Sequence, residues 1–321
     1  MSLLSVYLQI VYHNRLKYAT IFFREMGDFM RILKLTITAE EEGKKVKQLM
    51  RGTWQISSGL LKSLKWRENA ILLNGLPVTV AAIVHAGDEL TVNIADDGDL
   101  SPHIVPVDYP LDILFEDDDL LILNKPAGIA VHSAALTQET VTVAGAVAHY
   151  LGDTPFHPVN RLDRGVTGVM VVAKNGYMHR RCMALLHSDD FRREYRGICE
   201  GIPVPALGTV DLPIGRDPDS VLKRCIDPNG LDSHTVYEVL QASTSRSLLR
   251  LRPLTGRTHQ LRLHMAAIGH PLVGDWLYGT EDRDLIARPA LHSYELWLRH
   301  PLSGEWLHIT APIPEDMRKL L

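Results

Sequence analysis

The sequence is poor in cysteine, and its cysteines form no metal or redox motif. The 321 residues include 3 cysteines, Cys182, Cys199 and Cys225, and no pair of them has C-x-x-C spacing. Zinc sites and disulfide frameworks need clustered cysteines. Their scarcity argues against a zinc site and is typical of a protein from a reducing compartment.

The sequence also lacks an excess of positive charge. The formal net charge is -4, with 45% hydrophobic and 22% charged residues, which is ordinary for a globular protein. Binding to nucleic acid would therefore have to depend on local basic patches, because the overall charge does not favour it.

Long apolar runs are missing as well. No stretch approaches the roughly 18 apolar residues that span a bilayer. The first 30 residues are mildly apolar but have neither a basic start nor a small-residue cleavage site. We expect no membrane association and a cytoplasmic location, and we interpret residues 1–30 as an N-terminal extension.

Residues 31–95 have the pattern of a small α+β domain. They contain nine basic and six acidic residues, a charge of +3 in a chain that is negative as a whole. Two basic helical stretches precede the strand-like runs "ILLNG" and "VHAGDELTV", an order that resembles the S4-type RNA-binding module. A solvated helix face is the alternative explanation. The residues predicted to dock RNA are Lys44, Lys45, Lys47, Arg51, Lys62, Lys65 and Arg67.

A segment rich in proline and acidic residues, 96–110, follows and is interpreted as a linker. Residues 111–321 then alternate strand-like and helical runs without a regular βαβ order, which favours an α+β fold. Length and composition thus predict two domains, the smaller one first.

The stretch "NRLDRGVTG" places Asp163 between Arg161 and Arg164, directly before a buried strand. Nearby arginines keep a carboxylate ionised, and an ionised, partly desolvated carboxylate can act as a nucleophile. A surface salt bridge is the alternative for this motif taken alone.

Two further segments combine arginines with residues that can contact a base. In "FRREYRG", strand alternation puts Arg193 and Tyr195 on one side, and a tyrosine among arginines can stack on a base. A half-buried tyrosine on a sheet is the commoner explanation. Residues 246–270 hold five arginines, three histidines and no acid. There, a Thr-Gly turn could direct Arg257 into a cleft.

These segments and their order are more specific than any one of them. They resemble the RluA-type family of RNA pseudouridine synthases, over about residues 104–314. The departures are Asn160, Val166 and Thr167, which stand where the family has His, Thr and Ser, and Arg193 in place of Lys. The matching motifs are Lys125–Gly128 with His132, Asn160–Val169, Arg193–Tyr195, Thr255–His264 and Gly269–Gly279.

The resemblance implies a mixed, largely antiparallel sheet in two halves with a central cleft, preceded by the S4-like domain. It implies Asp163 as the essential carboxylate, Arg257 as its ion-pair partner and Tyr195 as the residue that packs on the uracil. Arg161 would occupy the space of a flipped-out uridine. The other residues that we expect to bind substrate are Lys125, His132, Arg164, Arg193, Thr258, His259, Gln260, Arg262 and Leu263.

The implied activity is the isomerisation of uridine to pseudouridine in structured RNA, with ribosomal RNA favoured over transfer RNA. This reaction needs no cofactor and no metal, and we expect a monomer. The alternative is a non-catalytic RNA-binding or ribosome-assembly factor. The retained carboxylate argues against it, since phosphate binding gains nothing from a negative charge in the groove.

Overall fold

The computed structural model describes residues 31–96, 100–133, 140–152, 154–186 and 188–320. The predicted N-terminal extension, residues 1–30, lies outside the described residues. The chain divides into two compact units between Ala95 and Asp96. Within the part of the chain that the structure describes, no helix has the length and apolarity needed to cross a membrane.

The first unit is a four-stranded antiparallel sheet with two short helices, and its strands follow the order β1-β4-β2-β3. Apolar side chains of both helices are buried, whereas most of the basic side chains on and beside these helices are exposed. The elements are β1 (Ile32–Thr36), α1 (Val46–Gly52), α2 (Ser58–Leu64), β2 (Ile71–Leu73), β3 (Leu76–Pro77) and β4 (Glu89–Asn93).

Two local features of this unit follow from residue type. The hydroxyl of Ser57 caps α2 by accepting a hydrogen bond from the N–H of Leu60 at 3.1 Å. Asn74 and Gly75 turn the chain from β2 to β3 with φ values of 53° and 78°. Both residue types tolerate this left-handed backbone, which explains the tight hairpin.

The second unit is built on a ten-stranded mixed sheet, with the order β10-β13-β14-β9-β15-β8-β6-β5, and β16 and β7 paired to β15 and β8. The strands are β5 (Ile113–Glu116), β6 (Leu120–Lys125), β7 (His157–Pro158), β8 (Thr167–Ala173), β9 (Phe191–Glu200), β10 (Leu207–Asp211), β13 (His234–Ala242), β14 (Arg246–Pro253), β15 (Leu291–Arg299) and β16 (Trp306–Thr310). A separate hairpin comprises β11 (Ile214–Arg216) and β12 (Arg224–Ile226). The helices are α3 (Val143–Leu151), α4 (Gly176–Leu185), α5 (Gln260–Ala267) and α6 (Glu315–Arg318).

The sheet has two halves, β10-β13-β14-β9-β15 and β8-β6-β5, and one short parallel contact joins them. All other pairings in it are antiparallel, but β8 and β15 run parallel and pair only at His292 with Thr167 and at Ser293 with Gly168. Gly168 has φ 104°, and a Cβ atom there would lie 2.1 Å from the carbonyl oxygen of Ser293. Only glycine allows this approach, so the seam between the halves depends on that residue.

The described part of the predicted linker packs against the second unit. Asp96 accepts hydrogen bonds from the ring of His157 and from the N–H of Gly176, at 2.8 and 3.0 Å. Val107 donates its N–H to the carbonyl of Gly145 at 3.1 Å. These hydrogen bonds attach the segment to the rest of the second unit, of which it forms a part.

The seam predicts a pH-dependent stability. His292 is 1% exposed and hydrogen-bonded to Thr167 Oγ1, and burial lowers its pKa to about 4. Between the ordinary histidine pKa of about 6.5 and that value, only the unfolded chain takes up the proton. The free energy of unfolding should therefore fall as pH falls through this window, by up to about 3 kcal/mol.

Chemical denaturation between pH 4.5 and 7.5 measures this slope. In the variant His292→Gln the free energy of unfolding should depend less on pH, by the slope that one titrating group contributes, since glutamine does not titrate. The exposed His103→Gln is the matched control and should keep the wild-type slope. Equal slopes for all three proteins would contradict the role of His292.

Candidate active site

Asp163 lies at the tip of the loop between β7 and β8. The turn closes with a hydrogen bond from the N–H of Val166 to the carbonyl of Asp163, at 3.0 Å. At the start of the loop the side chain of Asn160 accepts the N–H of Val171 at 2.8 Å. Asn160 therefore ties the loop to β8, and its departure from the family's usual residue has a structural role here.

Two buried cations hold the other side of this loop. Lys125 Nζ donates to the carbonyls of Pro126, Arg164 and Val166, at 2.8, 3.2 and 2.9 Å. Arg288 donates to the carbonyl of Gly165 at 3.3 Å. The carbonyls of the three consecutive loop residues 164–166 thus accept hydrogen bonds from buried side chains. These bonds fix the backbone that carries Asp163.

This arrangement differs from the setting predicted for Lys125. The residue is 1% exposed, and its burial lowers the pKa to about 7, while Asp163 acts in the opposite direction. All three of its ammonium hydrogens have carbonyl acceptors in the protein. Lys125 positions the loop, and it does not face the cleft as a substrate-binding residue would.

The carboxylate of Asp163 is paired with Arg262. Arg262 Nη1 donates to Asp163 Oδ2 at 3.0 Å, while its Nε and Nη2 donate to the two oxygens of Asp275, each at 2.7 Å. The guanidinium has a fixed fork of donors, so the two bonds to Asp275 determine the direction of the third. Asp275 anchors Arg262, and Arg262 orients Asp163.

Burial decreases along this chain of three charges. The side chains of Asp275, Arg262 and Asp163 are 0%, 6% and 28% exposed. Burial alone would lower the pKa of Arg262, but the hydrogen bonds and charges of the two carboxylates raise it. The guanidinium therefore stays charged, and Asp163 is the member that a ligand in the cleft can reach.

The predicted partner of Asp163, Arg257, lies elsewhere. Its side-chain Nε donates to the carbonyl of Asp232 at 3.1 Å, and its backbone N–H donates to Gln260 Oε1 at 3.0 Å. Arg257 belongs to the exposed turn before α5, whereas Arg262 projects from within the helix. Sequence spacing could not separate these two arginines, and the ion pair of Asp163 is formed by the second.

Tyr195 forms one wall of the cleft. It lies in β9 with 6% exposure, and Arg193 lines the cleft two residues earlier in the same strand. Glu194 and Arg196 point to the opposite face, where they approach within 3.7 Å of each other. The predicted alternation of this strand is thus the one observed.

The cleft has a volume of about 550 Å³. The structure brings together eleven of the thirteen residues predicted for catalysis or substrate binding, while Lys125 and Leu263 do not line the cleft. The eleven are His132, Arg161, Asp163, Arg164, Arg193, Tyr195, Arg257, Thr258, His259, Gln260 and Arg262.

Gln260 shapes the turn before α5 as well as lining the cleft. Its Oε1 accepts from the Thr255 hydroxyl and from the N–H of Arg257, and its Nε2 donates to the carbonyl of His234 and to Thr235 Oγ1. All hydrogen-bonding positions of this buried amide are used within the protein. Its contribution is therefore to hold the turn.

Three histidines line the cleft, and the pKa of each is lowered, that of His179 mainly by burial. The pKa of His132 is lowered by burial and by Arg161, and its ring lies edge-on to Phe156 with centroids 5.1 Å apart. The pKa of His259 is lowered mainly by burial, with Asp163 opposing that effect. Positive charge in the cleft thus comes from arginines.

Among the described residues, one group has the composition of a metal site: Asp117, Asp119 and His300. His300 Nδ1 accepts the N–H groups of Leu302 and Ser303, so the ring hydrogen lies on Nε2, facing Asp117 at 3.2 Å. A metal would need a lone pair at that nitrogen. Asp117 and His300 instead accept hydrogen bonds from backbone N–H groups of nearby turns, and none of the three residues lines the cleft.

Asp275 and Arg288 support the site but were not among the residues predicted from the sequence. Asp275 lies in the motif Gly269–Gly279, so its segment was recognised but its role was not. Arg288 lies outside every motif and is paired through two hydrogen bonds, of 2.7 and 2.8 Å, with Asp316 near the C-terminus. No local pattern could have identified it.

Two of the predicted RNA-docking residues of the first unit donate side-chain hydrogen bonds to backbone carbonyls. Arg51 donates to the carbonyl of Ile56 at 2.7 Å, and Arg67 to that of Ala95 at 2.6 Å. Lys45, Lys47, Lys62 and Lys65 are exposed. The lysines are therefore the better candidates for contacts with phosphate groups.

Comparison with known proteins points to one family. Residues 119–267 match the family model described as RNA pseudouridylate synthase. The uncharacterized RNA pseudouridine synthase YjbO of Bacillus subtilis is 36% identical, over 84% of this chain and 96% of its own length. Ribosomal large subunit pseudouridine synthase D of Escherichia coli is 39% identical, over 67% of this chain and 71% of its own length.

A solved structure agrees with these similarities. Human RNA pseudouridylate synthase domain containing 4 aligns with a TM-score of 0.53 at 26% identity, covering 64% of this chain and 90% of the human one. A TM-score above 0.5 supports a common fold for the aligned part.

Proposed function

The chain belongs to the RluA-type family of RNA pseudouridine synthases and isomerises uridine in RNA, and we propose that Asp163 is its essential residue and ribosomal RNA its substrate. In this reaction the N1–C1′ bond of uridine breaks and a C5–C1′ bond forms. The hydrogen of C5 is lost to solvent and N1 gains a proton. Neither an oxidant nor a reductant takes part.

The chain of charges from Asp275 through Arg262 to Asp163 supports the role of Asp163. Positive charge develops at C1′ when the base departs, and a fixed negative charge beside it lowers the energy of that state. Arg262 orients the carboxylate, and the partial exposure of Asp163 leaves that carboxylate accessible to the nucleoside.

The walls of the cleft fit a flipped-out nucleoside. Tyr195 offers a ring to the uracil from β9. Arg161 and Arg164 flank Asp163 on the exposed loop, where they can contact phosphates or occupy the place of the extruded base. Extruding a uridine costs a few kcal/mol, which such contacts offset.

The preference for ribosomal RNA is supported by the relative from Escherichia coli, whose name assigns it to the large ribosomal subunit. The first unit supports a large folded RNA as well, because its exposed lysines offer phosphate contacts outside the cleft. We therefore assign residues 31–95 to RNA docking in the manner of an S4 module.

The role of Asp163 predicts the loss of chemistry without loss of binding. Asp163→Asn keeps the size and hydrogen-bonding reach of the side chain but removes its charge. Release of tritium from RNA containing [5-³H]uridine should fall by on the order of 10⁴-fold or more. RNA affinity should stay the same or rise slightly. Comparable tritium release by wild type and variant would show that another group is essential, and none from the wild type would favour the non-catalytic alternative.

The two arginines of the α5 region form a matched pair for a second test. Arg262→Lys loses the forked geometry that joins Asp163 to Asp275, so turnover should fall by roughly 10²-fold. Arg257→Lys keeps a charge at an exposed site and should change RNA affinity by about fivefold at most. Thermal melting of both variants shows whether they are folded. A larger loss of turnover in Arg257→Lys would restore that residue as the partner of Asp163.

Substrate choice and docking can be tested in one mapping experiment. Pseudouridines are mapped in the RNA of cells that lack the chain, that express it, or that express a variant with Lys45, Lys47, Lys62 and Lys65 changed to Gln. We expect new pseudouridine in ribosomal RNA with the wild type and a reduced fraction with the variant. New sites confined to transfer RNA would reject the ribosomal preference, and unchanged modification by the variant would reject the docking role.

A further inference from the structure

His259 lies between the hydroxyl of Tyr278 and the carboxylate of Asp163. Its Nδ1 is 2.9 Å from Tyr278 Oη, and its Nε2 is 3.7 Å from Asp163 Oδ2. Both ring nitrogens thus face a defined group. The backbone of His259 is left-handed, with φ 59° and ψ 14°, at the residue before α5.

The groups that face the two ring nitrogens of His259 decide which nitrogen carries the hydrogen. Tyr278 Oη accepts the backbone N–H of Arg224 at 2.8 Å. The single hydroxyl hydrogen can then be donated to the lone pair of His259 Nδ1, an arrangement that the negative charge of Asp163 facing Nε2 favours. In a neutral imidazole the ring hydrogen consequently lies on Nε2.

The opposite tautomer would be unfavourable in this site. It would direct a lone pair of Nε2 at the negatively charged Asp163 and leave the hydroxyl hydrogen of Tyr278 without its acceptor. Burial keeps the ring neutral, as the lowered pKa of His259 indicates. The guanidinium of Arg262 packs over the ring of Tyr278, 5.3 Å from its centroid, and so holds the tyrosine in place.

We propose that His259 is a positioning residue for Asp163: Tyr278 places its hydrogen on Nε2, and this N–H and Arg262 Nη1 together hold Oδ2, leaving Oδ1 for C1′ of the uridine. The inference rests on the proposed role of Asp163. Both donors approach the same carboxylate oxygen, since His259 Nε2 and Arg262 Nη1 each make their contact with Oδ2. At 3.7 Å this contact is longer than a hydrogen bond, so the proposed role requires it to shorten in the complex with RNA, as contacts of catalytic groups commonly do.

The backbone conformation of His259 agrees with this role. A left-handed conformation is costly for most residues, by about 1–3 kcal/mol, and is retained where its surroundings require it. Histidine and asparagine are among the side chains that tolerate it best. The side chain of an asparagine is too short to reach Asp163 in the same way, so the substitution His259→Asn tests the imidazole while keeping the backbone.

A double-mutant cycle tests whether Tyr278 acts through His259. Single-turnover rates and RNA dissociation constants are measured for His259→Asn, Tyr278→Phe and the double variant, with Tyr150→Phe as the control for losing an exposed tyrosine hydroxyl. Each single change should slow the chemical step about tenfold, the effect of one lost hydrogen bond, and leave binding within about twofold. The double variant should be no slower than His259→Asn.

A second readout does not depend on activity. The ¹⁵N spectrum of labelled histidines should show His259 with its hydrogen on Nε2 in the wild type and a mixture of tautomers in Tyr278→Phe. His259→Gln, which can again extend an N–H toward Asp163, should recover part of the rate lost in His259→Asn. A purely structural role would lower the melting temperature without this recovery.

Three outcomes would overturn the inference: multiplied rate losses in the double variant, a hydrogen on Nδ1 in the wild type, or equal rates for His259→Asn and wild type. Its failure is distinguishable from failure of the proposed function. If only the inference about His259 fails, wild type still releases tritium and Asp163→Asn does not. If the proposed function fails, Asp163→Asn remains active.

Discussion

The site depends on one buried guanidinium that must be neutralised on both sides. Arg262 is almost fully buried, and a buried charge is tolerated only when it is paired and hydrogen-bonded. Asp275, itself inaccessible, binds it through two hydrogen bonds, and Asp163 takes the remaining donor. The loop 160–166, helix α5 and the turn at Asp275 are thereby held in one arrangement. Removing either carboxylate would leave charge uncompensated, which links the stability of this region to its chemistry.

The sheet brings these segments together from distant parts of the chain. Asp163 and Arg262 are separated by 99 positions in the sequence, and the contact forms because the two halves of the sheet meet at the short parallel pairing of β8 with β15. Gly168 allows that approach, and His292 with Thr167 closes it with a buried hydrogen bond. The cations Lys125 and Arg288 complete the support from below the loop. These contacts fix the backbone that carries Asp163, as its proposed electrostatic role requires.

Charge in this protein is organised locally. The chain is negative as a whole, yet the cleft is lined by arginines and its histidines are kept neutral by burial, which lowers the pKa of each. Arginine retains its charge under these conditions, whereas histidine does not. Phosphate groups can thus be attracted by permanent charges while the imidazoles serve as neutral hydrogen-bonding groups. The exposed lysines of the first unit add a second basic surface on a separate domain.

Local signals determined much of this protein. Alternation in "FRREYRG" placed Arg193 and Tyr195 on one face, and the order of the motifs identified the family and predicted Asp163 as its carboxylate. Spacing could not choose between Arg257 and Arg262, because both lie in one motif and only the helix geometry decides which reaches the loop. Nor could it show that Lys125 is enclosed by three carbonyls or that Arg288 supports the site. Those roles arise where segments far apart in sequence are packed together, and a buried polar group takes whichever partner the fold brings within hydrogen-bonding distance.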